Sequence, residues 1–113
     1  MEGIEVRAED NGKDVVLKCK GFIDSTTAGE IEKAITDTIG KKKYRIIVDM
    51  AETEYVSSAG WGIFVGFIKE LRKNRGDIKF ANMGDEVREI YELLDFTNIL
   101  EYYGDIESAK RAF

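Results

Sequence analysis

Apolar residues recur along this chain with two different spacings, and each switch between them marks a change of secondary structure. Ile4-Glu5-Val6-Arg7 alternates apolar and polar positions, as a half-exposed strand does. Asn11-Gly12 is a hairpin-type turn signal. It leads into Val15-Val16-Leu17-Lys18-Cys19, a second strand that Gly21 is expected to end. The spacing then widens: Ala28, Ile31, Ile35 and Ile39 form the stripe of a helix that Ser25 or Thr26 can cap and Gly40 can close. Arg45 to Asp49 is a third, β-branched strand, and Asp77 to Ala81 a fourth. Between them, Ile63, Phe64, Phe67, Ile68 and Leu71 predict a central helix from Ser58 to about Arg75, stopped by Gly76. After a turn at Asn82 to Gly84, Val87, Ile90, Tyr91 and Leu94 mark a third helix, with Asp85 and Glu86 in its first turn. Asn98 to Tyr103 is expected to be a short last strand or extended segment, and Asp105 to Arg111 a last helix.

Strands that alternate with helices imply an α/β fold with right-handed crossovers. The expectation is one domain over residues 1–113: a mixed sheet of four to five strands, about four helices, and an antiparallel first strand pair at one edge. Asp49 to Ser57, between the third strand and the central helix, is expected to be a short polar loop.

The central helix opens on two hydroxyls, Ser57 and Ser58, and only one can be its N-cap. With Ser57 as the cap and about 100° per residue, the apolar set covers an arc of roughly 140°. Ser58 then lies about 150° from the middle of that arc, beside Gly62, Lys69 and Lys73. It faces solvent at the positive end of the helix dipole, where unpaired N–H groups favour an anion. A phosphate there, worth about −1.5 to −2 charges, is compatible with the folded helix. Gly60 falls on the core arc and suits close packing, whereas Gly62 and Gly66 point outward and either leave room for a partner or reflect neutral drift. Trp61 and Val65 sit at the shoulder of the arc. Either neighbouring loops cover them, or Trp61 is an exposed apolar anchor beside Ser58 whose loss would leave folding nearly unchanged.

Asp24 and Asp49 each follow a strand, and loops at the carboxyl ends of adjacent strands converge on one rim. Both carboxylates are therefore expected beside the Ser57-Ser58 helix start. Asp24 can cap the first helix, or orient the Ser58 hydroxyl and repel its phosphate; Asp49 can instead order its own loop by hydrogen bonding. Two carboxylates could suggest a divalent cation or glycoside chemistry, but no further ligand or base supports either.

The pattern Asp49-Met50-x5-Val56-x-Ser58-Ala59-Gly60-x-Gly62 resembles the signature of STAS domains, the family of bacterial anti-sigma factor antagonists. Gly21-Phe22-Ile23-Asp24 is similar to that family's Gly-Glu-Leu/Ile-Asp motif, with Phe22 where an acidic residue is common. The resemblance implies that Ser58 is a phosphoacceptor and that Asp24, Ser57, Ser58, Trp61, Gly62 and Val65 meet a partner. It implies a regulatory switch in which the unphosphorylated form binds an anti-sigma factor serine kinase and frees a sigma factor. Phosphorylation at Ser58 then releases the complex, and a phosphatase resets it. The alternative is a STAS adaptor or scaffold subunit of a signalling or transport complex that is never phosphorylated.

Composition narrows the chemistry further. The chain is 43% hydrophobic and 35% charged, as a soluble globular protein is, and its net charge of −5 argues against direct binding of nucleic acid. No apolar run reaches the about 20 residues of a membrane span, and Met1-Glu2-Gly3 begins no signal peptide, so the cytoplasm is the expected compartment. The chain has no histidine, which removes the usual general base and every histidine-ligated metal site. Its single cysteine, Cys19, lies in an apolar strand and is expected to be buried and inert. No catalytic residue, metal or cofactor is expected. The run Lys41-Lys42-Lys43 is expected to be a solvated loop rather than a phosphate site.

Overall fold

The computed structural model describes residues 3–113. Six strands and four helices follow in the order β1 (Ile4–Asp10), β2 (Val15–Ile23), α1 (Ala28–Gly40), β3 (Arg45–Asp49), β4 (Thr53–Val56), α2 (Ser58–Lys73), β5 (Asp77–Ala81), α3 (Asp85–Leu93), β6 (Glu101–Tyr103) and α4 (Ile106–Arg111). A 3-10 turn, Phe96–Asn98, links α3 to β6. The sheet order is β1-β2-β3-β5-β6, with β4 paired to β2 off that path. β1 and β2 are antiparallel at one edge, as expected, and all the other pairs are parallel.

Alternation along the strands distributes the side chains between two cores. Leu17, Ile46, Val48, Ile78 and Phe80 face the larger one, where Ile31 and Ile35 of α1, Phe64, Ile68 and Leu71 of α2, and Val87 and Tyr91 of α3 close over the sheet. The opposite face is thinner: Val16, Ile47 and Ala81 pack under Ala109 of α4.

The main departures from the expected plan concern β2. Gly21 does not end this strand but stands inside it at φ +114, at the irregularity where pairing with β4 begins. A β-carbon there would lie 2.3 Å from the Gly3 carbonyl oxygen, so only glycine lets the strand bend and continue. The stretch expected to be a polar loop contains β4, the sixth strand. Thr53 turns inward and donates its hydroxyl to the Cys19 carbonyl at 2.7 Å, while Val56 is buried opposite Ile23. β2 is thus flanked by β3 along its first half and by β4 along its second. The predicted last strand is likewise shorter than expected, because Phe96–Asn98 takes up a 3-10 turn.

The glycines of α2 divide by their surroundings. A β-carbon on Gly60 would lie 2.8 Å from the Ile23 carbonyl oxygen and 3.0 Å from Val56 Cγ1, whereas one on Gly66 would meet nothing within 4 Å. Gly60→Ala should therefore destabilise the fold by about 1–3 kcal/mol through overpacking. Gly66→Ala should stabilise it by about 0.5–1 kcal/mol through helix propensity. Urea unfolding of the two variants side by side checks the sign of each.

Candidate functional site

The end of β2 and the start of α2 come together at one rim of the sheet. The Ser57 amide donates to the Ile23 carbonyl at 2.9 Å, which fixes the loop from β4 into α2 beside the residue preceding Asp24. Ser57 has extended backbone angles, and its hydroxyl accepts from the Gly60 amide at 3.1 Å, so Ser57 is the N-cap of α2. Ser58 is the first helical residue and its side chain is exposed. Gly62, one turn further, is exposed with open space above it, and Val65 is half-buried against the core.

Asp24 is half-buried and bound into its own turn. Its Oδ1 accepts from the Thr26 hydroxyl at 2.7 Å and from the amides of Thr26 at 2.9 Å and Thr27 at 3.2 Å. The Thr26 hydroxyl bond, reinforced by these backbone donors, holds the Asp24 carboxyl below the usual carboxylate range. The residue is therefore a fixed negative charge at neutral pH. Thr27 completes the turn, accepting from the Asp24 amide at 2.9 Å and donating to the Phe22 carbonyl at 2.8 Å. The expected caps, Ser25 and Thr26, lie outside the helix, and Thr27 stands at its N-cap position without a side-chain capping bond.

Two expected members of the site lie elsewhere. Asp49 pairs with Lys18 in the middle of β2, and at about 3.3 Å per residue Asp24 lies on the order of 20 Å further along that strand. Asp49 orders its own turn instead, accepting from the Ala51 amide and from Asn82 Nδ2, each at 3.0 Å. β4 prolongs the sheet beyond β3 and so separates Asp49 from that rim. Trp61 is not an exposed anchor: it is 0% exposed. Phe64, Phe80, Tyr91 and Phe96 surround its ring at centroid distances of 6.3, 5.8, 5.8 and 5.5 Å. α3 and the 3-10 turn cover the shoulder of the helix that the sequence left open, and they leave Trp61 Nε1 buried without a hydrogen-bond partner among the described residues.

An aromatic pair stands on paired residues of β2 and β4. Phe22, half-buried, lies 6.4 Å from Tyr55, which is 47% exposed. The available signal was the β-prone composition of Thr53, Tyr55 and Val56, obscured by Glu52 and Glu54. Cys19 is buried, and burial followed by the charge of Asp49 pushes its thiol up to about 12, so it remains protonated.

The comparisons with known proteins follow this geometry. The family model for the STAS domain matches residues 5–109. An anti-sigma-B factor antagonist of Listeria monocytogenes is 26% identical over 98 residues, covering 87% of this chain and 85% of the relative. The crystal structure of an anti-sigma factor antagonist from Mycobacterium paratuberculosis superposes with a TM-score of 0.86 at 24% identity, over 96% of this chain and 92% of that one. The unphosphorylated form of the anti-sigma factor antagonist SpoIIAA gives a TM-score of 0.79 at 20% identity, over 96% of each chain. The phosphorylated form of SpoIIAA, a Bacillus cell fate determinant, gives 0.71 at 19% identity, over 96% of this chain and all of that one (100%). These structural likenesses establish a shared fold.

Two measurements test the local reading. Trp61→Ala should lower stability by about 3–5 kcal/mol in chemical denaturation, as loss of a large core aromatic does. An unchanged unfolding midpoint would return Trp61 to the surface. Thr26→Val removes the largest cause of the low Asp24 pKa, so the NMR titration midpoint of that carboxyl should rise toward the ordinary carboxylate range. The depressed pKa contributes stability above the ordinary carboxylate pKa that is lost as pH falls through the lowered value. The variant should therefore lose less stability than the parent protein on acidification.

Proposed function

The chain belongs to the STAS domain family, and from that premise we propose that it is an anti-sigma factor antagonist working as a phosphorylation-controlled protein-binding switch. The observation that carries the reading is the division of labour between two adjacent serines. Ser57 is consumed as the helix cap, and Ser58 presents an exposed hydroxyl at the first helical position. The relatives named as anti-sigma factor antagonists, and SpoIIAA in both phosphorylation states, give that observation its context.

In this reading the unphosphorylated rim docks, in the cytoplasm, on an anti-sigma factor that is also a serine kinase, and a sigma factor is freed. Asp24, Ser57, Ser58, Gly62 and Val65 form the docking surface. Phe22 and Tyr55 take the apolar part expected of Trp61. The kinase transfers the γ-phosphoryl group of its bound nucleotide to Ser58 Oγ. The bond to the β-phosphate breaks, and the hydroxyl proton passes to a base on the kinase. The chain supplies the acceptor and no catalytic group.

The new dianion is tolerated by the free protein and opposed in the complex. The first-turn amides of α2 and the helix dipole favour it by about 0.3–1 kcal/mol. Buried against a partner, and facing the fixed charge of Asp24, it costs several kcal/mol, so binding loses more than folding gains. A phosphatase restores the hydroxyl.

Ser58→Asp should therefore bind the kinase poorly, and Ser58→Ala should bind well and stay bound in the presence of nucleotide. Ser57→Ala should lose about 1 kcal/mol of stability with the cap and still accept phosphate. Mass spectrometry after incubation with purified kinase and ATP separates the two serines. Phosphate on Ser57, or on neither, would overturn Ser58 as the acceptor.

A further inference from the structure

At the opposite end of the sheet from Ser58, the chain gathers its positive charge. Residues 12–13, 41–45 and 72–75 hold eight of the 17 lysines and arginines of this acidic chain and no aspartate or glutamate. The hairpin between β1 and β2, the exit of α1 and the exit of α2 bring them around an open hollow of about 270 Å³. Lys13, Lys42, Lys43, Arg45 and Arg75 line it, with Tyr44 as an aromatic wall. Lys43 is tied to Asp10 at 3.0 Å. Among the described residues, Lys13, Lys42 and Arg75 have no carboxylate within ion-pair distance.

Helix ends attract cations on general grounds, but capping does not account for this cluster. Backbone amides already serve the last carbonyls of both helices. Lys41, Lys42 and Lys43 amides bond the Thr38 and Ile39 carbonyls at 2.8–3.2 Å, and the Asn74, Arg75 and Gly76 amides bond those of Leu71 and Arg72 at 2.8–3.1 Å. Arg72 is engaged with Asp77 at 3.1 Å and Lys43 with Asp10, and Arg45 lies 5.8 Å over the Phe113 ring, while the side chains of Lys13, Lys42 and Arg75 are left over among the described residues. Two of them also stand where glycine is the default: Lys42 at φ 61 and Arg75 at φ 64, each just past a helix end. Keeping a side chain in left-handed backbone carries a cost that glycine would not. Both positions spend it on a cation aimed around the same hollow.

We propose that this basic hollow is a binding site for a multiply charged phosphate group, carried by a free small molecule or by a lipid headgroup. Arg45 and Arg75 offer forked donors suited to phosphate oxygens, and the lysines add mobile charge. The site is independent of the Ser58 rim.

The left-handed backbone supplies a clean test, because Lys42→Gly/Arg75→Gly removes two cations without straining the fold. Inorganic tripolyphosphate titrated into the labelled protein should give saturable NMR shifts at the amides of residues 12–13, 41–45 and 74–76. In the double variant the affinity should fall about tenfold or more, with no drop in the unfolding midpoint. Lys13→Gln, in the exposed hairpin, should weaken binding in the same direction. Co-sedimentation with phosphatidylglycerol–phosphatidylcholine vesicles, lost in the double variant, would assign a lipid headgroup. Tripolyphosphate binding without vesicle binding would assign a free ligand. Absence of saturable shifts at those amides, or equal affinity in the double variant, would overturn the proposal.

Discussion

The first turn of α2 sits against the end of β2 more closely than a side chain would allow. A methyl group on Gly60 would fall 2.8 Å from the Ile23 carbonyl oxygen, the same oxygen that accepts the Ser57 amide. That contact decides the helix phase at its origin. Ser57 is left to cap, Ser58 to face outward and Trp61 to turn inward. It also places Asp24, one residue beyond Ile23, at the helix start. A site made of groups from two distant segments thus depends on backbone packing rather than on bonds between its own side chains.

The regular elements were legible because each carried a pattern longer than its ambiguity. β3 and β5 have the predicted limits, Arg45–Asp49 and Asp77–Ala81, and α2 begins at Ser58. β4 was not legible. Four residues, with Glu54 inside and Glu52 just before them, give too little alternation to separate a strand from a loop, and their pairing with β2 arises only through the bend at Gly21. The misplacement of Asp49 follows from that one omission, since the rim lies a strand further on than three-strand reasoning puts it. Trp61 failed for a different reason: helical phase gives the direction of a side chain, not what covers it. Tyr91 and Phe96 come from thirty or more residues later in the chain.

The domain is electrically divided. The hairpin turn and helix exits are basic, while the outer side of α3 and its neighbour β4 carry Glu54, Glu86 and Glu89 around a groove floored by Val56 and Val87. A domain so polarised meets a charged partner in a preferred orientation before any contact forms, because the field turns it during approach. Salt weakens that guidance over a Debye length of about 8–10 Å, while the aromatic pair Phe22–Tyr55 and the packing around Gly60 are insensitive to it.

The burial of Trp61 also has an optical consequence. It is the chain's one tryptophan, enclosed by four aromatic rings with its indole N–H buried. Its fluorescence should be blue-shifted and shielded from collisional quenchers, with nearby tyrosines feeding excitation energy into it. The emission therefore reports whether the wall between α2, α3 and the 3-10 turn is intact. Events on the Ser58 side of the same helix, three residues away, leave its surroundings unchanged and will be nearly silent in that channel.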